Sequence, residues 1–132
     1  MELDPSLLAT SRYDFQSGYE KTKVFLSTLR DFDSVICGND AIAARVMQAL
    51  AEQHIQVPQQ VSVIGYDDST LELITRPELT SVHQDPEMLG RRAITMLASM
   101  FVGEGVGYQV LDSFLSIRNS TAMRQFSYDE NH

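Results

Sequence analysis

Short apolar runs alternate with helical patterns along this 132-residue chain, which predicts an α/β fold: an open, mainly parallel sheet with flanking helices. Two observations carry that expectation. Ser34-Val35-Ile36-Cys37 and Val61-Ser62-Val63-Ile64-Gly65-Tyr66 are compact runs rich in β-branched residues, the pattern of strands covered on both faces. Amphipathic segments of helical period precede each run, and connections of that length between parallel strands are right-handed crossovers.

The elements follow in order. Asp4-Pro5 has turn chemistry, and Leu7-Leu8-Ala9-Thr10 reads as a first, weak strand. A helix is predicted from Phe15 to Leu29, with Asp14 as its cap and Tyr19, Thr22, Leu26 and Leu29 on one face. After the strand at 34–37, Asn39 or Asp40 caps a second helix from Ala41 to His54. Ile42, Ala43, Val46, Met47 and Leu50 give it a broad apolar face. Val57-Pro58 bars its continuation, because a residue before proline avoids helical backbone. The strand Val61 to Tyr66 comes next and ends in Asp67-Asp68. A helical turn at Leu71 to Ile74 and an extended stretch from Leu79 to His83 follow. Asp85-Pro86-Glu87 starts a third helix, with Leu89, Ala93, Met96, Leu97 and Met100 along one side and an end near Gly103. Val110 to Arg118 alternates as a last strand, with Leu115 and Ile117 on one side, and Met123 to His132 is a polar, fraying tail.

Composition narrows the function classes. The formal net charge is −8, and the only adjacent basic pair is Arg91-Arg92. Binding a nucleic-acid backbone needs clustered cations, so this chain by itself is not expected to hold one. One cysteine, Cys37, permits no intrachain disulfide and suits a reducing compartment. The N-terminus lacks a long apolar run, so no signal peptide or membrane span is expected, and the location implied is cytoplasmic.

In open α/β sheets, ligands bind beyond the carboxyl ends of the strands. Asn39-Asp40 and Asp67-Asp68 stand at two such ends. Each pair has a plain role, as helix cap or turn former, and a sharper one, reaching a ligand in a shared crevice. Phosphoryl transfer to aspartate needs an opposing lysine, yet Lys21 and Lys23 both lie in the first helix. Asp67, Asp68 and Glu72 do not have calcium-loop spacing, and Gly103-x-Gly105-x-Gly107 follows a helix rather than opening one. Recognition of hydroxyl groups needs only carboxylates, amides and an aromatic face, and Tyr13 could stack or simply pack. His54 and His83 are weaker candidates, and Cys37 reads as packing. No catalytic residues, metal ligands or cofactor are expected.

Five motifs then occur in one order. They are Asp14-Phe15-x-x-Gly18-Tyr19, Val35-Ile36-Cys37-Gly38-Asn39-Asp40-Ala41, Val57-Pro58-x-x-Val61 to Asp68, Pro77-x-Leu79-Thr80-Ser81-Val82-x-Gln84 and Leu89-Gly90-x-x-Ala93. With the closing Leu115 to Ala122, the stretch from Asp4 to Ala122 resembles the lac/gal repressor (LacI/GalR) family. That resemblance implies a periplasmic-binding-protein-like (type I) C-terminal lobe, incomplete, from a cytoplasmic bacterial transcription regulator that is not an enzyme. Family members bind operator DNA through an N-terminal helix-turn-helix, which has no counterpart in this sequence. Their two-lobed core takes a sugar, nucleoside or purine effector and forms homodimers.

The implied effector contacts are Tyr13 by stacking, Asn39, Asp67 and Gln84, with Pro86 replacing a bulky apolar contact of some members. The implied dimer surface includes Ala44, Gln48, Leu71 and Thr75. The implied division makes 1–122 a partial effector-binding and dimerisation domain. Within it, about 4–85 and 110–122 belong to the C-terminal lobe and 86–103 to a helix of the N-terminal lobe, with 123–132 as tail. Asp68 is expected to organise the turn rather than meet effector. The alternative is a stand-alone or periplasmic sugar-binding module.

Overall fold

The computed structural model describes residues 4–10, 15–28, 32–70, 75–105 and 107–123. Its elements are α1 (Phe15–Thr28), β1 (Ser34–Ile36), α2 (Asp40–Glu52), β2 (Ser62–Asp67), β3 (Thr80–His83), α3 (Pro86–Phe101) and β4 (Phe114–Ser116). The four strands form one sheet in the order β1-β2-β3-β4. β1, β2 and β3 are parallel, with Val35 beside Val63 and Gly65 beside Ser81. β4 returns antiparallel, Leu115 lying beside Val82. The open, mainly parallel sheet expected from the sequence is therefore present, closed on one side by a reversed strand.

The core lies between α2 and the sheet. Ala43, Val46, Met47 and Leu50 of α2 meet Cys37, Val61, Val63 and Leu79, with Leu26, Ile42, Ile55 and Val57 packed around them. The helical period sets this up: Ala43, Val46, Met47 and Leu50 recur on one face, and that face is buried. Asn39 caps α2, its side-chain oxygen accepting the Ile42 N–H at 2.7 Å. The helix stops before Pro58 is reached. His54 takes a left-handed φ of 59°, and the Ile55 N–H turns back to the Leu50 carbonyl at 3.0 Å. α1 packs on α2: the Tyr19 hydroxyl donates to Glu52 at 2.5 Å, and Thr22 is buried.

A strap after β4 locks the sheet from its amino end. Ser120 is fully buried. Its hydroxyl donates to the Val63 carbonyl at 2.6 Å and accepts the Thr80 N–H at 2.8 Å. The Val63 N–H in turn donates to the Ser120 carbonyl at 2.9 Å. The Arg118 N–H donates to the Thr80 hydroxyl, and its guanidinium to the Leu79 carbonyl. These bonds satisfy backbone groups where β2 and β3 have not yet met each other.

Several expectations need correction. The strand expected at Leu7 to Thr10 is absent. Pro5–Leu7 is a 3-10 helix, because Asp4 caps it through the Ser6 N–H and proline at its first position favours a helical turn. Leu7 and Leu8 stay at least half exposed, and among the described residues no strand lies beside them to pair with. β2 is covered on one face only: Val61, Val63 and Gly65 are buried, whereas Ser62 and Ile64 are partly exposed. The last strand is three residues long rather than nine, with Leu115 and Ile117 exposed. The apolar stripe of α3 is real, yet no residue of that helix is buried. The turn at Leu71 to Ile74, the Asp14 cap and most of the 123–132 tail lie outside the described residues. Among the described residues, no helix is long and apolar enough to cross a membrane.

Gly65 is required by packing. A Cβ there would lie 2.3 Å from a carboxylate oxygen of Asp40 and 2.8 Å from Leu79. Gly65→Ala is expected to lower stability by about 2–4 kcal/mol in chemical denaturation, through overpacking and displaced hydrogen bonds. Gly90→Ala on exposed α3, where an added Cβ meets nothing within 4 Å, is expected to favour that helix by up to about 1 kcal/mol in amide exchange.

Candidate functional site at the carboxyl edge of the sheet

Three parallel strands deliver their carboxyl ends to one edge, so the residues just past them are neighbours. β1 is followed by Cys37, Gly38 and Asn39, β2 ends in Asp67 and runs on to Asp68 and Ser69, and β3 ends in His83 and Gln84. Asp67 and Asp68 have φ of 105° and 55°, backbone that non-glycine residues seldom adopt. A turn of that kind persists only when its surroundings hold it.

Two polar networks hold it. The inner one centres on Asp40, 1% exposed. One carboxylate oxygen accepts the Ser69 N–H at 2.7 Å and the Ser69 hydroxyl at 3.0 Å. The other accepts the Ser81 hydroxyl at 2.5 Å, and Ser81 accepts the Asp68 N–H at 3.1 Å. A buried carboxylate without partners would cost several kcal/mol, and these donors offset that.

The outer network centres on Asp68. Its carboxylate accepts the Ser116 hydroxyl at 2.7 Å, meets His83 Nδ1 at 2.9 Å and pairs with the Arg118 guanidinium at 2.7 Å. The His83 ring stacks on Phe114 at 4.5 Å between centroids. Burial alone would raise the Asp68 pKa. The hydrogen bonds from Ser116, Arg118 and His83, with the Arg118 charge, outweigh burial and hold the carboxyl below its ordinary range.

Asp67 differs. Its side of the turn is exposed, and its carboxylate accepts no hydrogen bond from the described residues. Partial burial, then the nearby Asp40 charge, raise its pKa. Gln84 is exposed beside it in the sheet's edge, its amide donating to the Tyr66 hydroxyl at 2.6 Å. Asn39 reaches the same edge with its side chain engaged as the α2 cap.

The edge therefore brings together Asn39, Asp67 and Gln84, and Tyr13 lies outside the described residues. Of the dimer candidates, Ala44 and Thr75 are partly exposed, and exposed Gln48 bonds to Arg45 and Glu52. Leu71 lies outside the described residues. Asp40 and Ser81 were not singled out as a unit by the sequence. The signal available was the glycine at 65, which leaves room for a side chain crossing the strand. Cys37 sits in the core, burial pushing its thiol up to about 12, which suits packing rather than chemistry. A cavity of about 690 Å³ lies at the amino end of the sheet, lined by Ser34, Ser62, Thr121 and Met123 among others, away from this edge. Among the described residues no group of three or more His, Cys, Asp or Glu could hold a metal ion.

An open α/β lobe with exposed polar groups at its carboxyl edge is the architecture of a small-molecule binding core. The periplasmic binding protein-like domain model matches residues 2–121. The ribose operon repressor of Escherichia coli (strain K12) is 41% identical over 88 residues, 67% of this chain and 27% of that protein. A structure of the transcriptional regulator CelR in complex with cellobiose superposes with a TM-score of 0.84 at 31% identity, covering 91% of this chain and 37% of that one. The lac repressor dimer bound to operator and the anti-inducer ONPF gives 0.82 at 29%, covering 86% and 40%. The chain belongs to the periplasmic binding protein-like family, as part of a LacI/GalR-type effector-binding core. It spans about a quarter to two fifths of the length of these relatives.

The two adjacent aspartates are expected to behave oppositely. Asp68 has a depressed folded pKa, so its stabilisation is present above the ordinary value of 3.8 and lost as pH falls through the lower folded value. Asp68→Asn should cost about 2–3 kcal/mol at pH 7. Asp67 has a raised folded pKa, so its favourable contribution exists below 3.8 and is lost as pH rises through the folded value. Asp67→Asn should leave stability at pH 7 unchanged or slightly higher. Urea denaturation of both variants between pH 3 and pH 7 checks the contrast.

Proposed function

We propose that this chain is the ligand-sensing and dimerisation portion of a bacterial LacI/GalR-type transcription regulator, and that its effector is a small sugar or nucleoside-like molecule. The observation that carries this is Asp67. Its carboxylate stands at the carboxyl end of β2, unengaged by the described residues, at the start of a turn held by two networks. A fixed carboxylate can accept hydrogen bonds from two neighbouring hydroxyls, the arrangement that sugar and ribose rings present. Asn39 and Gln84 add amide groups at the same edge, and Tyr13 stacks on the ring's apolar face. The ribose repressor and the CelR–cellobiose complex, both relatives, support a sugar as effector.

In this reading 4–85 and 110–122 form the C-terminal lobe and 86–103 a helix of the N-terminal lobe. No residue of α3 is buried against the described part of the molecule, which supports that division. Ala44 and Gln48 on α2, with Leu71 and Thr75, form the dimer surface. Effector binding shifts the balance between lobe arrangements and so changes operator affinity, through a DNA-binding domain that is not in this chain. The protein acts in the cytoplasm, without a membrane partner or catalytic step.

Titration calorimetry of the full-length protein against D-ribose, cellobiose and a purine nucleoside tests the proposal. One class should bind, and Asp67→Asn should weaken it about 30–100-fold, the loss of one or two charge-assisted hydrogen bonds. Unchanged affinity in that variant would remove Asp67 from the site.

A further inference from the structure

We propose that Asp40 is the positioning residue of the effector site: it meets no effector, and acts by holding the Asp67–Ser69 turn in the backbone conformation that presents the Asp67 carboxylate at the sheet edge. The functional half of this inference rests on the reading of Asp67 as the effector contact. Its structural half stands on geometry alone.

That geometry is specific to three elements. Asp40 is the first residue of α2, yet its side chain crosses β2 over Gly65, the one residue type that admits it. It reaches the turn after β2 through Ser69 and reaches β3 through Ser81. Ser81 relays the bond to the Asp68 N–H. The successive amides of Asp68 and Ser69 are thereby held by one carboxylate, the Ser69 N–H directly and the Asp68 N–H through the Ser81 hydroxyl. Positive φ at Asp67 and Asp68 is unfavourable for residues with a Cβ, so the turn would relax to ordinary backbone if those amides were released. Relaxation would swing Asp67 away from Asn39 and Gln84.

Asp40 has a second effect on its neighbour, through charge. Among the described residues, the groups facing the turn are Asp40 from α2, Asp68 from the turn itself, His83 from β3, and Arg118 from the segment after β4. His83 and Arg118 are engaged with Asp68, which leaves Asp40 as the charge acting on Asp67. The pKa of Asp67 is therefore a spectroscopic report on Asp40.

The test uses the full-length protein without ligand. Amide exchange is followed at Asp68, Ser69 and Val63, and the Asp67 carboxyl carbon is titrated by NMR. Asp40→Ala should speed exchange at Ser69 at least about tenfold, the loss of one charge-assisted bond, relative to Val63. Asp40→Asn keeps an acceptor and should restore part of that protection, while the Asp67 titration moves down toward its ordinary value in both variants. Met47→Ala, a core truncation away from the edge, should weaken the fold but leave both readouts in place. If Asp40→Ala does not fold, Asp40→Asn and Ser81→Ala carry the same comparison. Exchange raised equally at all three amides, as in Met47→Ala, with the Asp67 titration unmoved, would overturn the proposal. Sugar binding is measured separately. Failure of the wild-type protein to bind D-ribose, cellobiose or a nucleoside would overturn the effector reading, whatever the exchange shows of Asp40.

Discussion

The carboxylate of Asp40 is the constraint on which the carboxyl edge of this molecule depends. It joins the start of α2, the turn after β2 and the middle of β3 in one buried set of hydrogen bonds. Burying a charge is unfavourable unless every lone pair in reach of a donor finds one. Ser69 and Ser81 supply those donors, and Gly65 supplies the space. Loss of the Asp40 carboxylate would leave the buried Ser81 hydroxyl without its acceptor, and a side chain at position 65 would take the space the carboxylate occupies. The edge is consequently rigid where it carries the candidate site, and its rigidity comes from beneath rather than from the exposed groups themselves.

Two adjacent residues of one type divide the work of this turn. Asp68 faces back toward β3, β4 and the segment beyond, where Ser116, His83 and Arg118 fix it. Asp67 is exposed, and its carboxylate accepts no hydrogen bond from the described residues. Both residues have left-handed backbone, φ of 105° and 55°, and only Asp68 is engaged by β3, β4 and the segment after it. A ligand-binding carboxylate that had to be desolvated from existing partners would give up much of its binding free energy. In the proposed reading, Asp68 carries the structural role and Asp67 the recognising one, which avoids that loss.

The sequence made legible what periodicity governs. The buried face of α2 at Ala43, Val46, Met47 and Leu50, the Asn39 cap, and the parallel strands at 34–36 and 62–67 all follow from side-chain spacing and capping chemistry. What spacing does not record is partnership between distant residues. Leu7 to Thr10 has strand-like composition, but a strand exists only beside another, and the local Asp4-Pro5 signal decided its form instead. The Asp40–Ser81 bond joins residues 41 positions apart, and Ser120 reaches Val63 across 57. Serines of that kind look like ordinary turn or surface residues until the fold brings them under the sheet. Asp67 and Asp68 are separable in sequence only through strand alternation and the family resemblance; the structure adds that Asp68 is engaged by Ser116, His83 and Arg118.

The central claim is that Asp67 recognises hydroxyl groups while Asp40 and Asp68 only present it. A crystal structure of the full-length protein with D-ribose or cellobiose bound tests this most directly. If Asp67 recognises hydroxyls, one of its carboxylate oxygens will lie at roughly 2.6–2.9 Å from a ring hydroxyl, with Asp40 still on Ser69 and Ser81 and Asp68 still on Arg118. A sugar held between the lobes with Asp67 turned to solvent, or with Asp68 making the contact in its place, would contradict it.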